Sequence, residues 1–596
     1  MKIMLFSHVC GSQMITGAEK YLLLLARELG RHGDCTLVVP EAGLLSREAN
    51  AAGIRTVIQT VPLIWQMFRP VSSLGQDVEA RLERGEHEGI INLLHMHQPD
   101  LVVVNTCLNA LPAAAAHELG LPVAWFITEK ITENAWSRQA VELLNRYADW
   151  IIGISETTLR PIRAHSPAAG AKTYLLPPSW LLEELRQDEW PRYRELRRLE
   201  LGIREQERLI GFIASSLHEE KGLEHFVTMA LQVAMWRPKS RFLIVGKVTD
   251  EAYFARCTEM IKASGRGARF HWRGFEPRIH TLYPALDIVV VPSLIDEGFG
   301  LTAAEGLLFG ASVVAYRSGG LEEIMTTVGN GSGLVDKGDA AGLADRVIAL
   351  LDTGAAGLEE SGEANRASIE AAYGIQAYRR RLQPLLHRFR HRIRQRHAEQ
   401  LYSPGPRLEP GRLYKGRRST AVFLLEAGGK RLFATGETMR FYRYTWREVK
   451  VVPDKLLYAL PNGPVIRHRP PSADNRPSTL LAKGSGPGVF LLAHGRRQLF
   501  TSQLALRQRG YRPERVVELP DEELERLPLG EPLQALPNQK EAGKPGKSRG
   551  KRRASTRRPA GGKHQAKQGR PDKSKRRTAG SAARGKTGRR VAEPRP

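Results

Sequence analysis

Val291-Pro-Ser-Leu-Ile-Asp-Glu297-Gly-Phe-Gly-Leu-Thr-Ala-Ala-Glu305, then Gly306-Leu-Leu-Phe-Gly310, a short apolar run and Ser318-Gly319-Gly320, is the stretch that decides how this chain reads. The apolar residues Ile288 to Val291 lead in as a strand, and Leu301 to Phe309 leave as a helix. Between them lies a Gly-x-Gly loop, Gly298 and Gly300, set between two carboxylates eight residues apart, Glu297 and Glu305. Free backbone amides at a helix start attract anions, and glycines let a phosphate come close. Carboxylates accept hydrogen bonds from sugar hydroxyls. A strand-loop-helix of this composition suits a phosphate flanked by polyols, which describes a nucleotide sugar.

Three other segments stand in comparable contexts: Thr16-Gly17-Ala18-Glu19-Lys20, the run Ala148 to Ser155, and Glu219-Glu220-Lys221-Gly222. Two glutamates at this spacing are common by chance, whereas four such pieces in order are specific. Together they resemble the Glu-x7-Glu signature of family-four retaining glycosyltransferases, which have the GT-B fold. The resemblance spans roughly residues 1 to 390.

What it implies for the site can be written position by position. Glu305, expected in the first turn of its helix, would accept hydrogen bonds from the nucleotide ribose, and Glu297 would hold donor-sugar hydroxyls. Lys221 would neutralise the departing β-phosphate, so the implied catalytic pair is Lys221 and Glu297. Gly17, Ser216, Gly298, Phe299, Gly300, Leu301 and Thr302 would complete the nucleotide-sugar contacts. The plainer reading of Glu297 and Glu305 is solvated acids favoured by the helix dipole, and that of Lys221 is a surface lysine. The family usually sets an arginine five or six residues before the lysine. Here Ser215 and Ser216 stand there, donors without charge, so phosphate stabilisation is expected to be weaker or to be supplied elsewhere, with Lys247 and Arg273 as candidates. Thr16 replaces the first glycine of the Gly-Gly that family members often carry. Where many have a histidine after the strand Val123 to Ile127, this chain has Thr128-Glu129; His8, in the first loop, reads as incidental.

The length of 596 residues implies several domains, and 42% hydrophobic content can fill their cores. Cys10, Cys35, Cys107 and Cys257 are scattered, fitting a reducing compartment with buried thiols. Met1 to Phe6 is too short for a signal-peptide core, and no apolar run approaches a membrane span of about 18 residues. The expected address is the cytoplasm, with peripheral membrane contact. There is no Asp-x-Asp, no metal-ligand cluster and no Gly-x-x-x-x-Gly-Lys-Ser/Thr. Neither a metal nor a cofactor is expected; the donor is a substrate.

The fold class expected is α/β: two Rossmann-like domains facing a cleft, over residues 1–178 and 179–375, with small α+β repeats and a disordered basic tail behind them. Residues 376–400 read as a basic amphipathic helix. Tyr378, Leu382, Leu385, Leu386, Phe389 and Ile393 follow helical spacing, and eight arginines lie between Arg379 and Arg396. The resemblance implies a helix crossing back onto the first domain, and anionic lipid is the other surface that attracts such a helix. Residues 413–468 and 478–535 repeat with a period of 67: Val422 to Leu425 recurs as Val489 to Leu492, Phe433 as Phe500, Tyr444 as Tyr511, Pro453 as Pro520. Each copy reads as two strands around a glycine turn, a short helix and a Pro-Gly exit, a binding or spacing device. Residues 537–596 hold 21 Lys and Arg against 3 Asp and Glu, and so carry +18 of the chain's +26. Without aromatics they cannot bury enough surface to offset ordering entropy.

The function expected is retaining transfer of a sugar from an NDP-sugar to an acceptor hydroxyl, in cell-envelope or surface glycan synthesis. The acceptor classes are a lipid-linked glycan, an envelope polymer or a protein. Helix and tail would meet an anionic membrane or envelope polymer, and no specific nucleic-acid partner is expected, since charge without aromatic stacking gives little selective readout. The alternative is a polyanion-binding envelope-assembly protein whose transferase site has decayed, favoured by Ser215-Ser216, the repeats and the tail.

Overall fold

The computed structural model describes residues 1–402, 408–426, 428–468 and 475–536. The tail at 537–596 lies outside the described residues.

Seven strands build the first sheet: β1 (Lys2–Phe6), β2 (Asp34–Val39), β3 (Arg55–Ile58), β4 (Leu101–Asn105), β5 (Val123–Ile127), β6 (Trp150–Gly153) and β7 (Thr173–Leu175). Their order is β3-β2-β1-β4-β5-β6-β7, and neighbours pair in parallel. The central strands are continuous apolar runs because helices cover both faces; every residue of β4 and β5 is buried. Six strands build the second sheet: β8 (Arg208–Leu217), β9 (Ser240–Val248), β10 (Phe270–Arg273), β11 (Ile288–Val291), β12 (Ser312–Tyr316) and β13 (Leu334–Val335). Their order is β10-β9-β8-β11-β12-β13, again parallel. The order reverses between β1 and β4 in one sheet and between β8 and β11 in the other, where such sheets open a crevice beyond their strand ends. This is the GT-B arrangement.

The sequence does not mark β3, β7 or β13. They are short edge strands of mixed burial, or only two residues long, so they lack the apolar run that marks a central strand. The bridge between the halves includes the helix Trp190–Glu200, anchored under the second sheet by charge. Arg194 and Arg198 donate to Asp287 at 2.6 and 3.0 Å, and buried Arg198 also reaches the Glu207 carbonyl at 2.6 Å.

The arginine-rich helix is not a separate element. It runs Ile375–Tyr402, and its apolar stripe from Tyr378 to Ile393 joins a core shared by both halves. Phe389 packs edge-on against Trp150 with centroids 4.7 Å apart. Several of its arginines serve that docking: Arg379 grips buried Glu28 with two bonds of 2.8 Å, Arg388 lies 5.2 Å over the Tyr174 ring, and Arg392 is 3.6 Å from Asp149. Arg380 and Arg394 face solvent. Among the described residues, no helix is long and apolar enough to cross a membrane.

The 67-residue repeat is repeated topology. β14 (Leu413–Gly416), β15 (Val422–Glu426), β16 (Gly429–Leu432) and β17 (Val449–Val452) stand in the order β16-β15-β14-β17. β18 (Thr479–Lys483), β19 (Val489–Ala493), β20 (Arg496–Leu499) and β21 (Val517–Glu518) stand in the order β20-β19-β18-β21. Each copy therefore has four strands where the sequence suggests two. The strand before the hairpin and the strand after the helix pair in parallel, a long-range contact that local patterning does not reveal. The bridges Lys430 to Asn462 and Phe433 to Ile466 recur 67 residues on as Arg497 to Leu529 and Phe500 to Leu533.

The copies differ in docking. The first sits on the helix Glu88–His97 and the segment after it. There the Tyr458 hydroxyl donates to the Pro99 carbonyl at 2.8 Å, Ser419 donates to Asn92 at 2.7 Å, and Asn462 donates to the His95 carbonyl at 2.7 Å. At the matching positions the second copy has Glu525 and Leu529, and Leu529 is 65% exposed. The same fold has thus lost its docking chemistry in the second copy.

One lysine in the first copy titrates unusually. Lys430 is fully buried, and burial pushes its ammonium down from the ordinary 10.5 to about 7. Below pH 7 folded and unfolded chains both hold the proton, and the fold bears the full cost of a buried charge; above the ordinary value neither does. This contribution to stability therefore rises from about pH 7 to about pH 10.5. Lys430 donates to the Leu460 carbonyl, which also accepts from Gln98 at 2.9 Å, so losing the lysine leaves that oxygen bonded. Lys430→Met is expected to stabilise the chain at neutral pH and to flatten that rise. Parallel thermal melts of variant and wild type across the window check it; curves of equal slope would refute it.

Candidate functional site

The crevice between the two sheets holds a cavity of about 370 Å³, within the roughly 300–1,000 Å³ of small-molecule sites. Its walls come from both halves.

On the C-terminal side, β8 delivers Ser215, a tight turn at Glu219–Lys221 delivers Lys221, and the loop after β11 delivers Ser293 and Glu297 to Gly300. Lys221 Nζ donates to Glu297 Oε1 at 2.7 Å, and Ser293 Oγ donates to the same oxygen at 2.8 Å. Burial pushes the Glu297 carboxyl up, but Lys221 and Ser293 outweigh it and hold the group below its ordinary value. The carboxylate is thus kept ionised on the cavity wall. Gly300, at φ +96°, caps the helix Leu301–Leu308, and no cap side chain hydrogen-bonds that helix start. Leu301 and Thr302 line the cavity there. Phe299 lines it too, while its ring packs edge-on against Tyr373 at 5.3 Å.

On the N-terminal side, the helix Gly17–Gly30 starts at the cavity wall, with Thr16 as its cap and Glu19 reaching back to the Thr16 amide at 2.8 Å. A Cβ added at Gly17 would lie 2.8 Å from Leu301 Cδ1, so glycine lets the two helix starts approach. A Cβ at Gly298 would overlap the Thr128 carbonyl oxygen, backbone of the opposite half. Lys20 Nζ reaches across to Glu305 Oε1 at 3.2 Å.

Of the residues nominated from sequence, Gly17, Lys221, Glu297, Gly298, Phe299, Gly300, Leu301, Thr302 and Glu305 line this one cavity. Ser215 is among its lining residues and Ser216 is not; the pairing of β8 with β9 shifts register between Ile213 and Ser216. Glu305 stands in the second turn of its helix, not the first, since the helix begins at Leu301. Neither substitute for the missing arginine lines the cavity. Lys247 bonds Gln13 at 2.8 Å, and Arg273 is paired with Glu200 and Glu276.

The sequence reading passed over Lys20, Glu129, Ser293 and Glu276, all of which line the cavity. Lys20 follows Gly17 by three residues on one helix, so it shares a face with it, a usable signal. Glu129 accepts from Thr128 Oγ1 at 2.8 Å and from the Cys107 amide at 3.3 Å, while burial raises its carboxyl above the ordinary range. His8 also lines the cavity, but burial lowers it to about 4, so it is neutral near pH 7. Among the described residues, no group of His, Cys, Asp and Glu side chains is placed to hold a metal ion.

Two family models match the chain. Residues 16–178 match "Glycosyl transferase 4-like domain" and residues 207–353 match "Glycosyl transferases group 1". Among similar curated proteins, 2-deoxystreptamine N-acetyl-D-glucosaminyltransferase of Streptomyces fradiae is 33% identical over 147 residues, 24% of this chain and 34% of that protein. Lipopolysaccharide core biosynthesis mannosyltransferase LpsB of Rhizobium meliloti (strain 1021) is 28% identical over 162 residues, 27% of this chain and 44% of that protein. The chain thus spans less than half the length of these relatives. The solved structure of HepE from Anabaena, in complex with UDP and glucose, superposes with a TM-score of 0.54 at 20% identity, covering 65% of this chain and 99% of that one. That likeness is one of fold.

Proposed function

We propose, from the match of both halves to glycosyltransferase domains, that this chain transfers a sugar from a nucleoside diphosphate sugar to an acceptor hydroxyl with retention at the anomeric carbon. The observation that carries the reading is the single cavity in which Lys221, Glu297, Glu305 and an uncapped helix start converge. The helix start and Lys221 suit a diphosphate, and the two carboxylates suit hydroxyls on either side of it. The bond from the anomeric carbon to the β-phosphate oxygen breaks while the acceptor oxygen bonds that carbon from the same face. The acceptor's proton passes to the departing phosphate oxygen, and Lys221 holds the charge that develops there. No side-chain base is required.

The mannosyltransferase of lipopolysaccharide core synthesis among the relatives supports an envelope or surface glycan as acceptor. The exposed arginines of the last long helix and the +18 tail support peripheral contact with an anionic membrane or envelope polymer. One observation favours the second reading, a decayed transferase that binds polyanions: among the described residues, no arginine lines the cavity. Incubating the intact protein with UDP- and GDP-sugars and following NDP release separates the two. Release of the nucleotide supports the transferase, and a protein that neither consumes nor binds any of them is the decayed form.

Glu305→Gln is expected to weaken donor binding by about 1.5–3 kcal/mol, because an amide offers one acceptor oxygen where the carboxylate offers two. Calorimetry with the donor that supports turnover measures it, and unchanged affinity removes Glu305 from the ribose site.

A further inference from the structure

Two lysines line the cavity, and each is paired with one of the two carboxylates of the Glu-x7-Glu segment. Lys221 meets Glu297 within the C-terminal half at 2.7 Å, and Lys20 meets Glu305 across the cleft at 3.2 Å. Among the described residues no arginine lines the cavity, and the two cations the sequence offers as substitutes are engaged elsewhere. A diphosphate brings at least two negative charges, so one ammonium leaves it half neutralised. The other cavity acids make no claim on either lysine. Glu276 is 3.3 Å from Arg273 and 3.5 Å from Arg197, and Glu129 is held by Thr128 and the Cys107 amide.

We propose that Lys20 is the second diphosphate cation of this site, supplied by the N-terminal half in place of the charge absent at Ser215 and Ser216. The inference rests on the transferase reading and names the group that completes its donor site.

Three observations carry it. Lys20 lies at the end of the first turn of a helix whose start approaches the start of Leu301–Leu308 at Gly17 and Leu301. Two helix starts and two lysines thus face one space, so a diphosphate there meets donors from both halves. Second, the Lys20–Glu305 pair is loosely held: its side chains are 41% and 22% exposed, so solvent screens the attraction and the lysine can exchange partners at little cost. Third, the exchange is chemically consistent. A bound nucleotide sugar gives Glu305 hydroxyl donors in place of the ammonium, and gives Lys20 phosphate oxygens in place of the carboxylate. Lys20 and Lys221 then grip one diphosphate from opposite halves, which ties donor binding to closure of the cleft.

The test uses the full chain with UDP and GDP as probes, alongside uridine and guanosine, which lack the phosphates. In Lys20→Met the affinity for whichever diphosphate the wild type binds should fall by roughly tenfold or more, the scale of a lost charge-assisted contact. Affinity for the parent nucleoside should stay unchanged, and Lys20→Arg, which keeps the charge, should remain near wild type. Equal losses for nucleoside and diphosphate would mean that Lys20 merely orients Glu305, and would overturn the assignment. Unchanged diphosphate binding in Lys20→Met, or a loss in Lys20→Arg as large as in Lys20→Met, would overturn it as well. A wild type that binds neither diphosphate overturns the transferase reading and this inference together, whereas the other failures leave that reading standing.

Discussion

Lys221→Ala is expected to lower turnover roughly a hundredfold to a thousandfold while changing donor affinity far less. Charge builds on the departing diphosphate only as the glycosidic bond breaks, so the ammonium contributes most in the transition state. The same change acts on Glu297. With the lysine gone, the largest influences that hold the carboxyl down go with it, and burial raises the group from its depressed position. Residual activity should then need higher pH, because the protonated acid no longer accepts two hydroxyl hydrogen bonds and part of the carboxylate population is lost as pH falls. Rate profiles of wild type and variant, measured with donor saturating, test both effects. Normal turnover in the variant would place Lys221 outside the chemistry, and an unmoved acid limb would show that Lys221 does not set the Glu297 ionisation.

Gly298→Ala is the other large effect, and it is steric. The added methyl has no free rotation that avoids the Thr128 carbonyl oxygen, since both partners are backbone. The clash lies between the two halves, so it is relieved by parting them and not by unfolding either one. Polar contacts across the cleft would stretch with it: Lys130 to Asp296 at 2.9 Å, Glu323 to the Glu156 amide at 2.8 Å, and Lys20 to Glu305. Displacement of reacting groups by about 1 Å costs on the order of a hundredfold in rate, so turnover should fall by that order while the melting temperature stays near wild type. Nucleotide binding to the C-terminal half should survive in part. Wild-type turnover in Gly298→Ala would mean that this approach of the two halves is not part of the working cleft.

The residues of the C-terminal wall were legible because they are local. Strand, loop, helix start and both carboxylates of that wall fall within eighteen consecutive residues, Ile288 to Glu305, and the backbone of β11 and the helix Leu301–Leu308 fixes their relation. The central parallel strands were legible for a similar reason, as burial on both faces leaves an unbroken apolar run. So was the 67-residue repeat, which is a property of sequence alone.

Everything that spans the cleft needed the tertiary structure. Lys20 and Glu305 are 285 residues apart, and no local pattern couples them. That Ser215 lines the cavity and Ser216 does not is likewise decided at the end of β8, where its pairing with β9, a strand distant in the sequence, shifts register. The arginine-rich helix shows the same division. Its sequence fixed an apolar stripe and a basic face, properties of helical spacing. Only packing decided that the stripe completes the core of both halves and that Arg379, Arg388 and Arg392 find partners there, because those partners come from elements distant in the chain.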